Sequence, residues 1–384
     1  LGSWSKLPGD NVLSKLFPVI EVGSLNKAPF RVRDTERAAA EAEKWGVMLG
    51  VERFEELVGK IKSKTLSEDE TLDWACIYGL KFFEKAGLDI IYDGEQRRVE
   101  MYEHPLQYID GFEFRGVVRV WDNEYYRKAA VVRKPSLKTV YHVDELLFNK
   151  KHTSKPLKVP VTSAYTLADW SFDEYYIARA EGLDLVEKLS RARYEFVHDL
   201  TREIIRPVVS ELASKGADYV QLDEPAAATK PHEAELVVES INETVRGIGS
   251  KVAVHICYTD YAALFPDILE LKADVLSISC SNADTTALGV EPSKRPGFRV
   301  LEVFRDYDVK FAIAPGLIDV HTDFIEPAEL VRDRLLYACR VLGNPDKIYG
   351  CNDCGLRTRK WDVAYLKQLN LVKGCEMARK VFEG

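Results

Sequence analysis

Residues 251–258 read KVAVHICY and carry one imidazole and one thiol, His255 and Cys257, separated by a single residue. The run is apolar and rich in β-branched residues, follows Gly249 and Ser250, and reads as a buried strand. Side chains alternate along a strand with period two, so His255 and Cys257 face the same side and bring a nitrogen and a sulfur donor together at its C-terminal end. One imidazole and one sulfur are half of a zinc site. A catalytic zinc takes three protein ligands and keeps one position open, so the pattern calls for a further donor from elsewhere in the chain.

The elements that must position these residues can be read along the chain. Eight segments have strand character: 17–24, 88–92, 158–166, 219–222, 251–258, 274–279, 309–314 and 348–351. Helical patterns lie between them, including 35–63, 67–86 with the capping-box pair Ser67 and Glu70, a long region 173–214 broken near Pro207, 234–246 and 261–271. This alternation predicts an α/β fold of the (β/α)8 TIM-type barrel class over a single domain, 1–384. Residues 108–141 break the rhythm with short aromatic-rich strands around Asp122-Asn123, which predicts an inserted β-hairpin placed to cover a site. Ser24, Glu95, Asp223, His255, Cys257, His321 and Cys354 all fall at or just past the C-terminal ends of predicted strands. In a barrel those ends share one face and form the active site.

With 384 residues, 46% hydrophobic and 30% charged, the chain can bury a sizeable core. A net charge of −8, with no basic run interleaved with aromatics, leaves no footprint for nucleic acid. No apolar stretch approaches the roughly 20 residues needed to span a bilayer, so the expectation is a cytoplasmic protein without a membrane partner. The seven cysteines follow no disulfide rhythm, and thiol or metal chemistry is the better reading.

Residues 348–359 read IYGCNDCGLRTR, and NDCGLRTR is similar to the last zinc-ligand motif of the cobalamin-independent methionine synthases. The HxCY run from His255 to Tyr258 resembles that family's first such motif. The likeness extends in order over nearly the whole chain, but only to the family's catalytic C-terminal barrel, without the separate N-terminal barrel of its long folate-using members. It implies Zn2+ held by His255, Cys257 and Cys354. Where the family has a Glu as fourth ligand this chain has Ser279, with Cys280 next to it. The fourth position therefore goes either to Cys280, if the strand end bends, or to water or substrate. Cys351 reads as a buried small residue, the rival being a structural Cys351-x-x-Cys354 pair.

The resemblance further implies homocysteine as substrate, its carboxylate at Val22-Gly23-Ser24 and its ammonium between Glu95 and Asp223. Trp170 would stand near the methyl donor, and His321 in the Asp319-containing segment IDVH would be catalytic. The physical logic is that little of a thiol is ionised at neutral pH, and Zn2+ removes its proton while keeping a nucleophilic sulfur. The methyl donor is expected to be a methylcorrinoid protein or a methyltetrahydrofolate-type pterin, and the short chain suits the former. Glu224 reads equally as a salt-bridge partner, and Tyr126-Arg127 as facing either donor or solvent. The alternatives are another zinc-activated thiol alkylation, such as epoxide opening by coenzyme M, and a non-catalytic protein with a closed zinc site.

Overall fold

The computed structural model describes residues 15–121, 124–180 and 184–383. In chain order the strands are β1 (Ile109–Trp121), β2 (Glu124–Leu137), β3 (Lys158–Thr162), β4 (Phe172–Asp173), β5 (Tyr219–Asp223), β6 (Lys251–Ile256), β7 (Val275–Ile278), β8 (Ala312–Ile318) and β9 (Cys351–Asn352). β3, β5, β6, β7, β8 and β9 neighbour one another in that order in a curled parallel sheet. Helices separate most of these strands in sequence, as parallel pairing requires. The strands are short Val/Ile-rich runs buried along β3, β5 and β7, the pattern of a sheet covered on both faces.

Pairing continues past the sheet's edges through single parallel bridges, Ile91 to Leu157, Ile20 to Ile90 and Val19 to Gly350. The predicted strands 17–24 and 88–92 thus appear as bridged segments, not regular strands. Pro18 has no N–H to give, Phe17 has φ 53°, and the Asp89 carboxylate takes the Val19 N–H at 2.9 Å. Three further expectations shift. Strand 158–166 ends at Thr162 because Ser163 opens a helix, Ala164–Asp169. The 309–314 segment becomes strand only from Ala312, after the exposed left-handed turn at Asp308. The helix expected over 261–271 is two separate 3-10 turns, because Pro266 stands between them.

The pattern over 35–63 is two helices, Thr35–Leu49 and Phe54–Ser63, and 348–351 is regular strand only at Cys351–Asn352, while other local readings hold. The helix Glu68–Ala86 starts at a complete Ser67/Glu70 capping box. The long helical region, by contrast, is not broken near Pro207: Leu185–Leu200, a π-helical turn Thr201–Ile205 and Arg206–Ser214 follow one another without a gap, and Pro207 sits in the first turn after the π-helical one. The hairpin is present as β1 and β2, while its predicted turn Asp122-Asn123 lies outside the described residues. Among the described residues no helix is long and apolar enough to cross a membrane.

The base of the hairpin is tied down by a buried cluster. His104 and His142 stack at 5.5 Å, and Glu145 lies 3.2 Å from His142 Nδ1 and 2.9 Å from Arg98 Nη2. The three donors stand close enough to hold a cation, but the Arg98 guanidinium already neutralises Glu145. The cluster is therefore structural. Burial holds both imidazoles below their ordinary pKa, His104 at about 3. The unfolded chain then takes up protons first, so this stability is complete above about pH 6.5 and is lost as pH falls, by up to about 1.4 kcal/mol per pH unit for His104, with His142 adding in the same direction. The melting temperature is expected to drop steeply between pH 6.5 and 5, and His104→Gln should flatten that drop. An unchanged profile in the variant would remove His104 from the account.

Candidate active site

Strand register brings the polar residues to one end of the parallel sheet. Thr162 pairs with Asp223, Asp223 with His255, and His255 with Ser277. They open onto a cavity of about 330 Å3 lined by Val22, Ser24, Glu95, Trp170, Asp223, His255, Cys257, Tyr258, His321 and Cys354, among others.

His255, Cys257 and Cys354 offer one nitrogen and two sulfur atoms that all lie within 4.8 Å of one another. The His255 Nδ1 is hydrogen-bonded to Ser277 Oγ at 3.0 Å, which orients the ring. Its Nε2 is buried and has no hydrogen-bond partner among the described residues. A buried ring nitrogen left unpaired costs free energy unless something binds it, and two sulfurs beside it make a donor set that fits zinc. Cys257 and Cys354 have their Sγ atoms 4.0 Å apart. The Cys257 thiol, and after it His255, hold the Cys354 thiol well below its ordinary range, while Cys257 is pushed up. The pair thus favours the charged form at Cys354 over Cys257, and a thiolate is the form a metal takes.

Cys354 reaches this position through the residue before it. The Asp353 carboxylate is fully buried and accepts N–H bonds from Cys280 at 2.7 Å, Ser281 at 2.9 Å and Asn282 at 2.7 Å. It also packs so tightly on β8 that a Cβ at Gly316 would lie 1.9 Å from its Oδ1. This contact clamps the Cys354 loop onto the ends of β7 and β8.

The structure does not bring Cys280 into the donor group. The strand end does not bulge to turn it inward, and its side chain is buried in the apolar core. Ser279, which does face the loop, takes the Tyr258 N–H at 3.2 Å and donates to the Asp353 carbonyl at 3.0 Å. Cys351 also lies outside the group, 3.7 Å from Ser277 Oγ.

Beside His255 the cavity floor is acidic. Glu95 is buried and sits in a left-handed conformation, φ 58°, its N–H held by Asp93 Oδ1 at 2.8 Å. Such a conformation costs a non-glycine residue about 1–3 kcal/mol, and Glu95 adopts it on the cavity wall. Asp223 is pushed up to about 7, chiefly by burial and against the pull of His255, with Glu95 adding to the rise. Gly23 touches this acid directly, since a Cβ there would lie 2.4 Å from Glu95 Oε1. Val22 and Ser24 line the cavity on either side of it.

At the rim, His321 is exposed and its ring lies 5.0 Å from that of Tyr258, itself left-handed at φ 52°. Asp319 is not on the cavity wall; its carboxylate takes the His321 backbone N–H at 2.8 Å and shapes the turn. Trp170 stacks on Tyr126 at 5.6 Å. Tyr126 is buried, and Arg127 lies over Phe114, so neither lines the cavity; Tyr125 does. Glu224 is turned away and bonded to Thr166.

Sequence reasoning missed Glu21, Lys158 and Gln221, which form a buried polar layer beneath the floor. The signal was available as a lone acid in FPVIEVGS and a lone lysine opening KVPVT.

Fold and site together define an α/β enzyme core with a His-Cys-Cys donor set beside an acidic pocket at the ends of parallel strands. Residues 51–377 match the family model for the cobalamin-independent synthase catalytic domain. The chain is 39% identical to a methionine synthase of Thermoplasma volcanium, over 83% of this chain and 91% of that one. It is 34% identical to a methionine synthase of Pyrococcus horikoshii, over 85% and 87%. In fold it is similar to a B12-independent methionine synthase from Shewanella sp. W3-18-1, with TM-score 0.73, 24% identity and coverage of 96% and 99%. The chain belongs to the cobalamin-independent methionine synthase family and is a methyltransferase.

Proposed function

We propose that this protein is a zinc-dependent enzyme that transfers a methyl group to the thiol of homocysteine, giving methionine. The observation that carries the reading is one cavity holding a soft His255-Cys257-Cys354 donor set directly beside two buried acids, Glu95 and Asp223. The catalytic unit is a (β/α)8 barrel in which the bridged segments at Val19-Ile20 and Ile90-Ile91 supply the remaining staves.

Zinc bound to the three donors would lower the pKa of a coordinated thiol and so supply a nucleophilic sulfur at neutral pH. The chain's own residues do the rest. Glu95 and Asp223 grip the substrate ammonium, and the Val22-Gly23-Ser24 backbone takes its carboxylate. The buried walls keep water from the sulfur. Trp170, backed by Tyr126, gives the methyl donor a flat apolar surface. His321 at the rim is placed to pass a proton to the departing donor, and Asp319 holds its turn.

The acids weigh against a sulfonate thiol such as coenzyme M, which has no ammonium for them. The open cavity weighs against a closed structural zinc site. The test is methionine formation by zinc-loaded protein from homocysteine, with a methylated pterin and methylcobalamin as parallel donors and direct homocysteine binding measured alongside. Methionine from either supports the reading and ranks the donors; failure to bind homocysteine overturns it.

Gly23 supplies a sharper check. An added Cβ meets the far end of the Glu95 side chain, which can move, and lies 3.1 Å from Pro160 Cγ, which must give by a few tenths of an ångström, so Gly23→Ala should fold with a small loss of stability and displace the acid from the ammonium. The expected result is a KM for homocysteine raised about 10-fold or more with little change in kcat, the mark of lost ground-state binding. An unaltered KM would place the ammonium elsewhere.

A further inference from the structure

Glu21 is only 1% exposed, and both its carboxylate oxygens are buried without a hydrogen-bond partner among the described residues. Its nearest cation among the described residues is Lys158 Nζ, 3.7 Å from Oε1, and that ammonium is already shared with the Val22 carbonyl at 2.9 Å and with Gln221 Oε1. Gln221 in turn donates to Asp223 Oδ1 at 2.7 Å. A continuous polar chain therefore runs from Asp223 through Gln221 to Lys158 and Glu21. The charged and titratable groups that act on Glu21 come from every neighbouring segment: Asp93 and Glu95, Lys158 on β3, Asp223 on β5 and Cys351 on β9.

Charge counting makes the arrangement informative. Glu21 lies sealed beneath the cavity floor that Glu95 and Asp223 line, and Lys158 is the one cation within 4 Å of it among the described residues, so three ionised carboxylates there would leave two negative charges uncompensated, one of them fully buried, which is costly. A proton on Glu21 removes one. Resting on the reading that a substrate ammonium binds at Glu95 and Asp223, we propose that Glu21 holds a proton in the empty enzyme and releases it to solvent when the ammonium arrives. Proton and ammonium exchange one for one at the acids, while the substrate carboxylate is taken by the Val22-Gly23-Ser24 backbone. Burial, with Glu95 and Asp223 adding to it against the pull of Lys158, lifts Glu21 to about 8, which leaves it protonated at neutral pH in the empty state. Because binding expels a proton, affinity must rise with pH up to that value, by up to about tenfold per pH unit for one full proton. Glu21 is on this account a positioning and charge-setting residue that never touches the sulfur.

Methionine is the probe, because it has no thiol proton to confuse the count. Its binding to the zinc-loaded full chain is measured by calorimetry at pH 7 in two buffers of different ionisation heat. Wild type is expected to release on the order of one proton per methionine bound, Glu21→Gln clearly less, with only the part that Asp223 gives up remaining, and Glu21→Asp to restore the release. Difference infrared spectra of wild type should lose a protonated-carboxyl band on methionine addition, a readout that holds even if the glutamine variant does not fold. Binding without proton release in wild type, or equal release in Glu21→Gln, would overturn the proposal while leaving the ammonium pocket standing. No methionine binding at all would sink the pocket assignment and this inference with it.

Discussion

Cys354→Ala is expected to leave the protein folded, without bound zinc and without methyl transfer. The residue lies half-buried on a loop whose anchor is its neighbour Asp353, so the truncation costs little packing. It does remove one of three donors and the one with the strongest thiolate character. Losing an outer partner that only orients a ligand costs about 10–100-fold in metal affinity, and Ser277→Ala, which releases His255 Nδ1, should fall in that range. Losing the ligand itself should cost more. Metal content by mass spectrometry is expected to fall to background in Cys354→Ala, and methionine formation by on the order of a thousandfold or more. A variant that keeps its zinc through purification would show that Cys354 is not a ligand.

The second large effect falls on stability. Asp353→Ala leaves three N–H groups, of Cys280, Ser281 and Asn282, facing a hole where a carboxylate stood. Each buried donor stranded in this way costs about 1–3 kcal/mol, and partial rescue by water brings the expected total to about 3–5 kcal/mol. Denaturant unfolding should show a clearly lower midpoint, and zinc affinity should fall with it because the Cys354 loop is no longer clamped to β8. Asp353→Asn should lie between the two, since an amide keeps one acceptor oxygen but turns N–H groups against N–H groups. A wild-type midpoint in Asp353→Ala would mean that the loop is held by other contacts.

These two neighbours separate what was legible from what was not. Cys354 was readable because its motif, NDCGLRTR, carries the resemblance. Asp353, one residue earlier, stands in the same motif but was given no role, since nothing in a sequence announces that three N–H groups from another loop will converge on it. Glu95 and Asp223 were legible as acids closing strand-like runs. Glu21 and Lys158 were not, because a charge inside an apolar run has meaning only once its cross-strand neighbours are known. The helix expected over 261–271 failed at Pro266, a local signal that periodicity outweighed.

Period-two alternation is a property of any strand, so the sequence alone already put His255 and Cys257 on one face, and the same short-range logic marked the strands, the capping box at Ser67 and the hairpin. Tertiary structure decided which thiols meet them. Cys354, 97 residues from Cys257, is brought within 4.0 Å of its sulfur, while Cys280 beside the same strand ends is buried in the core. The physical reason is that local periodicity sets the direction in which a side chain points relative to its own backbone. Its partners depend on the register between strands and on where a returning loop is clamped, and those are settled by packing across the whole sheet.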